Sequence, residues 1–111
     1  MNFHGKPPDG TRILCIGMPV RDLVFRVGEL PARGNKKRAT HFSEFGGGNA
    51  LNAAVAIARL GGRVLMSGPM GDAREKASAA IFDDLAKEGI DASAMVRMPG
   101  LVTPISNIMI D

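Results

Sequence analysis

Phe45-Gly46-Gly47-Gly48-Asn49-Ala50-Leu51-Asn52-Ala53-Ala54 is the stretch on which the reading of this chain turns. Three consecutive glycines let the backbone bend freely and let another group approach its N–H donors. The sequence then changes character at once. Ala50, Ala53, Ala54, Ala56 and Ala58 favour a helix, and Arg59 is the only charged residue before Leu60. This pattern predicts a helix over residues 49–60, apolar on nearly every side and therefore buried, with Gly61 at its C′ position. A helix that opens on glycines offers unpaired donors and a positive dipole end, suited to a phosphate or to the hydroxyls of a polyol.

Working outward, residues 12–17 form a short apolar run closed by Gly17, which suits a buried strand. Leu23, Phe25 and Val27 alternate as in a half-exposed strand, and Pro31 and Gly34 mark a turn. Thr40, Phe42 and Phe45 favour another strand over residues 38–45. Beyond the helix, residues 63–68 read as a second buried strand. Asp72 and Glu75 resemble a capping box opening a helix to Glu88, with Ala77, Ala80, Ile81 and Leu85 on its apolar face and Gly89 ending it. Residues 94–98 and 105–110 read as further strands, turned by Pro99 and Gly100. Strands alternating with helices predict an α/β sheet of βαβ units. The excursion at about residues 20–46 is unusual for that class and predicts a small sheet projecting from the body as a lid.

Two familiar phosphate motifs fail at the glycine turn. A dinucleotide fingerprint starting at Gly46 needs Gly or Ala where Leu51 stands, and a P-loop needs Gly-Lys-Ser or Gly-Lys-Thr where Asn52-Ala53-Ala54 stand. Composition narrows the classes further. The 111 residues suit one small domain, and 45% hydrophobic with 23% charged residues are ordinary for a globular protein. Five Phe with no Trp or Tyr argue against nucleic acid, which stacks its bases on flat rings. The net charge of +3 gathers partly in Arg33, Lys36, Lys37 and Arg38, read as a solvated loop or as an electropositive rim. A single Cys15 in an apolar run suits a reducing cytoplasm. Residues 1–11 read as a flexible lead-in without a signal sequence, His4 has no assigned role, and no apolar stretch is long enough for a membrane span.

The glycine turn, followed by Ala58-Arg59-Leu60-Gly61 and Gly68-Pro69-Met70-Gly71-Asp72, resembles the N-terminal signature of the ribokinase-like (PfkB-type) carbohydrate kinases. Ile16-Gly17, Asp22, Leu30-Pro31 and Gly34 follow that family in order and spacing, so the resemblance runs from about Ile13 to the last residue. It implies a ribokinase-like sheet whose β-lid closes over a sugar or nucleoside. It also implies that Asp22 accepts hydrogen bonds from substrate hydroxyls, as an acceptor-only carboxylate can. Gly47 and Gly48 would bring backbone amides to the substrate, and Asn52 would offer both a donor and an acceptor. Without a ligand, Asp22 reads as a turn residue before the lid strand and Asn52 as a helix-start residue. The sequence departs from ribokinases proper at Asn49, where they carry Lys, and at Val20, where a polar residue is common. Gly71-Asp72 reads as turn and cap.

ATP and Mg2+ are implied for the complete enzyme, but the family's Gly-Ala-Gly-Asp motif does not occur in these residues. The expectation is an N-terminal, sugar-binding portion of a kinase with no catalytic, cofactor or metal residue of its own. The competing expectation is a non-catalytic sugar-binding module or a homodimer formed through the β-lid, along an edge of Phe25, Phe42 and Phe45. A portion of this kind should expose an apolar sheet edge and be poorly stable alone. A cooperative, high-temperature unfolding transition of the isolated monomer, followed by circular dichroism, would contradict it.

Overall fold

A computed structural model describes residues 10–72 and 74–111. The lead-in up to Asp9, with His4, lies outside the described residues. The elements in order are β1 (Arg12–Ile16), β2 (Val20–Arg26), β3 (His41–Gly47), α1 (Asn49–Arg59), β4 (Arg63–Met70), α2 (Lys76–Lys87), β5 (Asp91–Arg97) and β6 (Ile105–Ile110). They make two three-stranded sheets, ordered β1-β4-β5 and β3-β2-β6. The first is wholly parallel, each crossover carrying a helix. In the second, β2 pairs antiparallel with β3 and parallel with β6.

The core explains the placing of the helices. Val64, Met66 and Met70 alternate along β4 and are buried with Leu51 and Ala54 of α1 and Ile81 and Leu85 of α2. Period-two burial meeting side chains from both helices puts α1 and α2 on one face of the sheet. Met66, Ile81 and Leu85 are fully buried, and each such side chain stabilises the fold by about 1.5–3 kcal/mol. The opposite face carries no helix among the described residues.

Two expectations of burial therefore change. Residues 12–17 do not form a buried strand: β1 is an edge, and only Cys15 is buried while Ile13, Leu14 and Ile16 are exposed. The cause is topological, since a three-stranded sheet covered on one side leaves its outer strand open. The apolar helix is likewise buried only where it meets the sheet, at Leu51 and Ala54. Asn52, Ala53, Ala56 and Leu60 are exposed on its other sides. An exposed apolar edge was expected, and β1 provides it.

The start of α2 also differs. The helix begins at Lys76 with Glu75 as N-cap, and no side chain caps it. Asp72 instead closes a turn, accepting from the Arg74 backbone N–H at 2.9 Å. The Glu75 carboxylate turns away and accepts from the Thr103 N–H at 3.0 Å. Gly71 N donates to the Thr103 hydroxyl at 3.0 Å, and the Ser78 hydroxyl donates to Gly71 O at 3.2 Å. Ser78 and Thr103 are buried, so this satisfied network fixes the segment leading into β6.

The second sheet projects from the first. The radius of gyration is 17.0 Å, against about 13 Å for a compact domain of 100 residues. The approach of backbones at the root is tight: a Cβ on Gly17 would lie 2.7 Å from that of Ala50, and one on Gly68 would overlap the Gly17 carbonyl oxygen. Gly68→Ala is expected to cost about 3 kcal/mol, because only backbone could give way. A urea titration should show the lower midpoint.

Candidate functional site

The junction of β2, β3 and α1 gathers most of the residues singled out in the sequence. Asp22 lies inside β2, half-buried, opposite Phe45 of β3 and Ser106 of β6. It is therefore a strand residue and not the turn residue that was the alternative reading. A Cβ on Gly47 would overlap the Asp22 carboxylate, so the glycine makes the space that this carboxylate fills. Gly48 is the N-cap of α1 at φ 92°, where other residues are strained, and a Cβ there would also lie 2.8 Å from the Met18 carbonyl oxygen.

The first turn of α1 has neither an acidic residue nor a side-chain cap. The Asn52 N–H closes the first helical bond, to Gly48 O at 2.9 Å. Its exposed side chain is thus not used as a cap, and its donor and acceptor face outward. Asn52 borders a cleft of about 500 Å³ with Phe45, Gly46, Leu51, Val55 and Asp84. Asp22 does not border that cleft. Asp22, Gly47 and Gly48 thus meet at the strand–helix junction, and Asn52 stands in the adjoining cleft.

Strand alternation explains the separation. Gly46 and Arg21 pair in register and point toward the helices, whereas Asp22 and Gly47 point the other way. The same alternation divides the expected aromatic edge. Phe25 and Phe42 pair across the strands with ring centroids 5.0 Å apart, while Phe45 belongs to the opposite face.

Sequence reasoning missed the charged groups behind this junction. Arg21 donates to Asp84 at 2.8 Å and to Glu44 at 3.2 Å. Arg59 donates from Nε to Glu88 at 3.0 Å along the rim of the cleft. Helix periodicity would place Asp84 and Glu88 on one side of α2, but nothing in the linear sequence points either at its arginine. The basic run Arg33, Lys36, Lys37 and Arg38 lies exposed between β2 and β3, with Lys37 paired to Glu29. Cys15 is buried in the core cluster that includes Leu51 and Ala54 of α1. Among the described residues, no three His, Cys, Asp or Glu side chains converge as a metal cradle, and no helix is long and apolar enough to cross a membrane.

Residues 10–111 match the family described as pfkB family carbohydrate kinase. The chain is 36% identical to ribokinase of Bacillus subtilis (strain 168) over 83 residues, which is 75% of this chain and 28% of that protein. A crystal structure of a candidate ribokinase from Agrobacterium tumefaciens superposes with a TM-score of 0.83 at 35% identity, covering 92% of this chain and 33% of the other. Fructokinase from Xylella fastidiosa with bound ATP gives a TM-score of 0.70 at 30% identity, over 89% of this chain and 29% of the other. The chain therefore spans about a third of the length of these relatives.

The rim pair sets a titration. A hydrogen bond from Arg59, reinforced by its charge, holds the Glu88 carboxyl below the usual carboxylate range. A depressed carboxylate stabilises the fold above its unfolded pKa, and this is lost as pH falls through the lowered folded value. In Arg59→Gln, Glu88 should titrate at higher pH, read by carbon NMR of its carboxyl group.

Proposed function

The chain belongs to the pfkB family of carbohydrate kinases, and from that premise we propose that it carries the substrate-recognition part of an ATP-dependent sugar kinase. The observation that supports this reading most is the Asp22 carboxylate standing against Gly47 beside the uncapped start of α1. An ionised carboxylate accepts from two neighbouring hydroxyls at once, the pattern a sugar or nucleoside presents. The backbone at Gly47 and Gly48 lets such a ligand approach the N–H groups of the first helical turn. Asn52 adds a donor and an acceptor from the side of the cleft. In this reading the residues bind and orient the substrate, and the second sheet closes over it as a lid.

The reaction served is transfer of a phosphoryl group from ATP to a sugar hydroxyl. ATP as donor is supported by the ATP-bound fructokinase structure. When bound, ATP supplies the phosphoryl group; the residues of this chain supply recognition, and none is assigned to the transfer itself. Mg2+ accompanies ATP in the complete enzyme that the family resemblance implies, and no residue of this chain is assigned to it. Ribose, fructose, a ketodeoxy sugar acid and a nucleoside are the substrates to be distinguished, and Asn49 in place of the ribokinase Lys, with Val20, weighs against ribose. A reducing cytoplasm is the setting that the single Cys15 suits.

A second reading, a homodimer formed through the lid, draws on the exposure of Phe42, Ile105 and Met109 on the second sheet. Sedimentation of the chain at rising concentration separates a dimer from a monomer.

Calorimetry with D-ribose and D-fructose tests the recognition reading. Asp22→Ala should weaken binding by about 10- to 100-fold, the range for hydrogen bonds to a charged group. Asn52→Ala should cost about 2- to 10-fold, as neutral hydrogen bonds do. Unchanged affinity in both variants would show that the site is elsewhere.

A further inference from the structure

We propose that Arg21 is a positioning residue: its guanidinium latches the root of the second sheet onto α2 and thereby sets where the Asp22 carboxylate stands. The proposal rests on the reading of Asp22 as the substrate carboxylate, and deepens it. Three independent contacts meet at this one residue. Nη1 donates to Asp84 of α2 at 2.8 Å and Nη2 to Glu44 of β3 at 3.2 Å. The backbone N–H donates to Pro104 O, in the segment that leads into β6, at 2.8 Å. One residue of β2 thus ties together β3, the segment entering β6 and a helix packed on the other sheet.

The surroundings make the latch tight. The Arg21 side chain is only 11% exposed, and its Nε is buried with no partner. A buried guanidinium that loses Asp84 or Glu44 would retain its desolvation cost without the compensating bonds. Opposite Arg21 in register stands Gly46. A Cβ there would lie 2.7 Å from Leu51 Cδ2 and 3.3 Å from Asp84 Oδ2, so its absence lets the sheet sit down on both helices. Arginine suits the position because its planar fork can hold two carboxylates at fixed angles, which a lysine ammonium cannot.

The consequence for the site follows from alternation along β2. Arg21 faces the helices and Asp22 the opposite side, where its carboxylate lies against Gly47. The chain between sheet and helix passes through Gly46, Gly47 and Gly48, which give it little stiffness of its own. The bonds on the helix side therefore hold the strand at the angle that aims Asp22.

The test compares Arg21→Met, Arg21→Lys and Asp84→Asn in the full 111-residue chain. Hydrogen exchange by mass spectrometry is read separately for β2, β3 and β6 and for β4 and β5, and calorimetry is run with D-ribose and D-fructose. Arg21→Met and Asp84→Asn should speed exchange in the second sheet about tenfold, leave β4 and β5 unchanged, and weaken sugar binding about tenfold. Arg21→Lys, which keeps the charge, should recover part of both effects. Asp84→Asn removes only one partner and keeps the latch testable where Arg21→Met fails to fold. Equal acceleration in both sheets, or none in either, would overturn the latch. Faster exchange in the second sheet alone with unaltered sugar affinity would overturn the positioning of Asp22. Selective exchange in a chain that never binds either sugar would uphold the latch and remove the sugar reading instead.

Discussion

The structure depends on a close approach of backbones at Gly17 and Gly68. There β1 and β4 come so near that a side chain on Gly68 would occupy the Gly17 carbonyl oxygen, and Ala50 seats the first turn of α1 on Gly17. This contact fixes the distance between the parallel sheet and the helix start. From it follow the direction in which β1 leaves toward β2 and the position of the Gly46–Gly48 turn. Dense packing of this kind transmits position from one element to the next, because interiors deform little.

Much of this was legible in the sequence, and for definite reasons. The Ala-rich run with glycines at both ends specified α1, and the α/β class followed from alternating strand and helix patterns. The projecting sheet could be inferred because two strands stood where a βαβ unit needs none. What remained hidden depended on neighbours distant in sequence. Ile13, Leu14 and Ile16 look like a core strand, but position in the sheet, not composition, decides burial, and β1 is an edge. Glu75 looked like a capping residue, yet a buried backbone N–H at Thr103 claimed its carboxylate. A local pattern cannot announce a partner that arrives from a segment distant in sequence.

The candidate site shows the same division. Gly47, Gly48 and Asn52 are neighbours in sequence, and the glycine turn that carries them was readable directly. Asp22 came from family resemblance, and its contact with Gly47 is a product of antiparallel pairing. The partnership of Arg21 with Asp84 joins residues 63 positions apart, so no linear motif could contain it. The residues proposed for recognition were thus readable from local pattern and resemblance, whereas the contacts that surround them were written in the fold.

The pairing of β2 with β6 also bears on how the chain acquires its shape. β2 and β3 can meet soon after both are made, but β6 is the last of the described strands and joins β2 in parallel. Parallel partners this remote in sequence must pay a large loop-closure entropy before any ladder bond repays it, which slows their formation. During synthesis at about 5–20 residues per second, the β2–β3 hairpin would wait seconds with one edge bare. Of the two central strands, β2, which carries Asp22, therefore gains its second neighbour later than β4, and a nascent chain would meet its hazard of mispairing there.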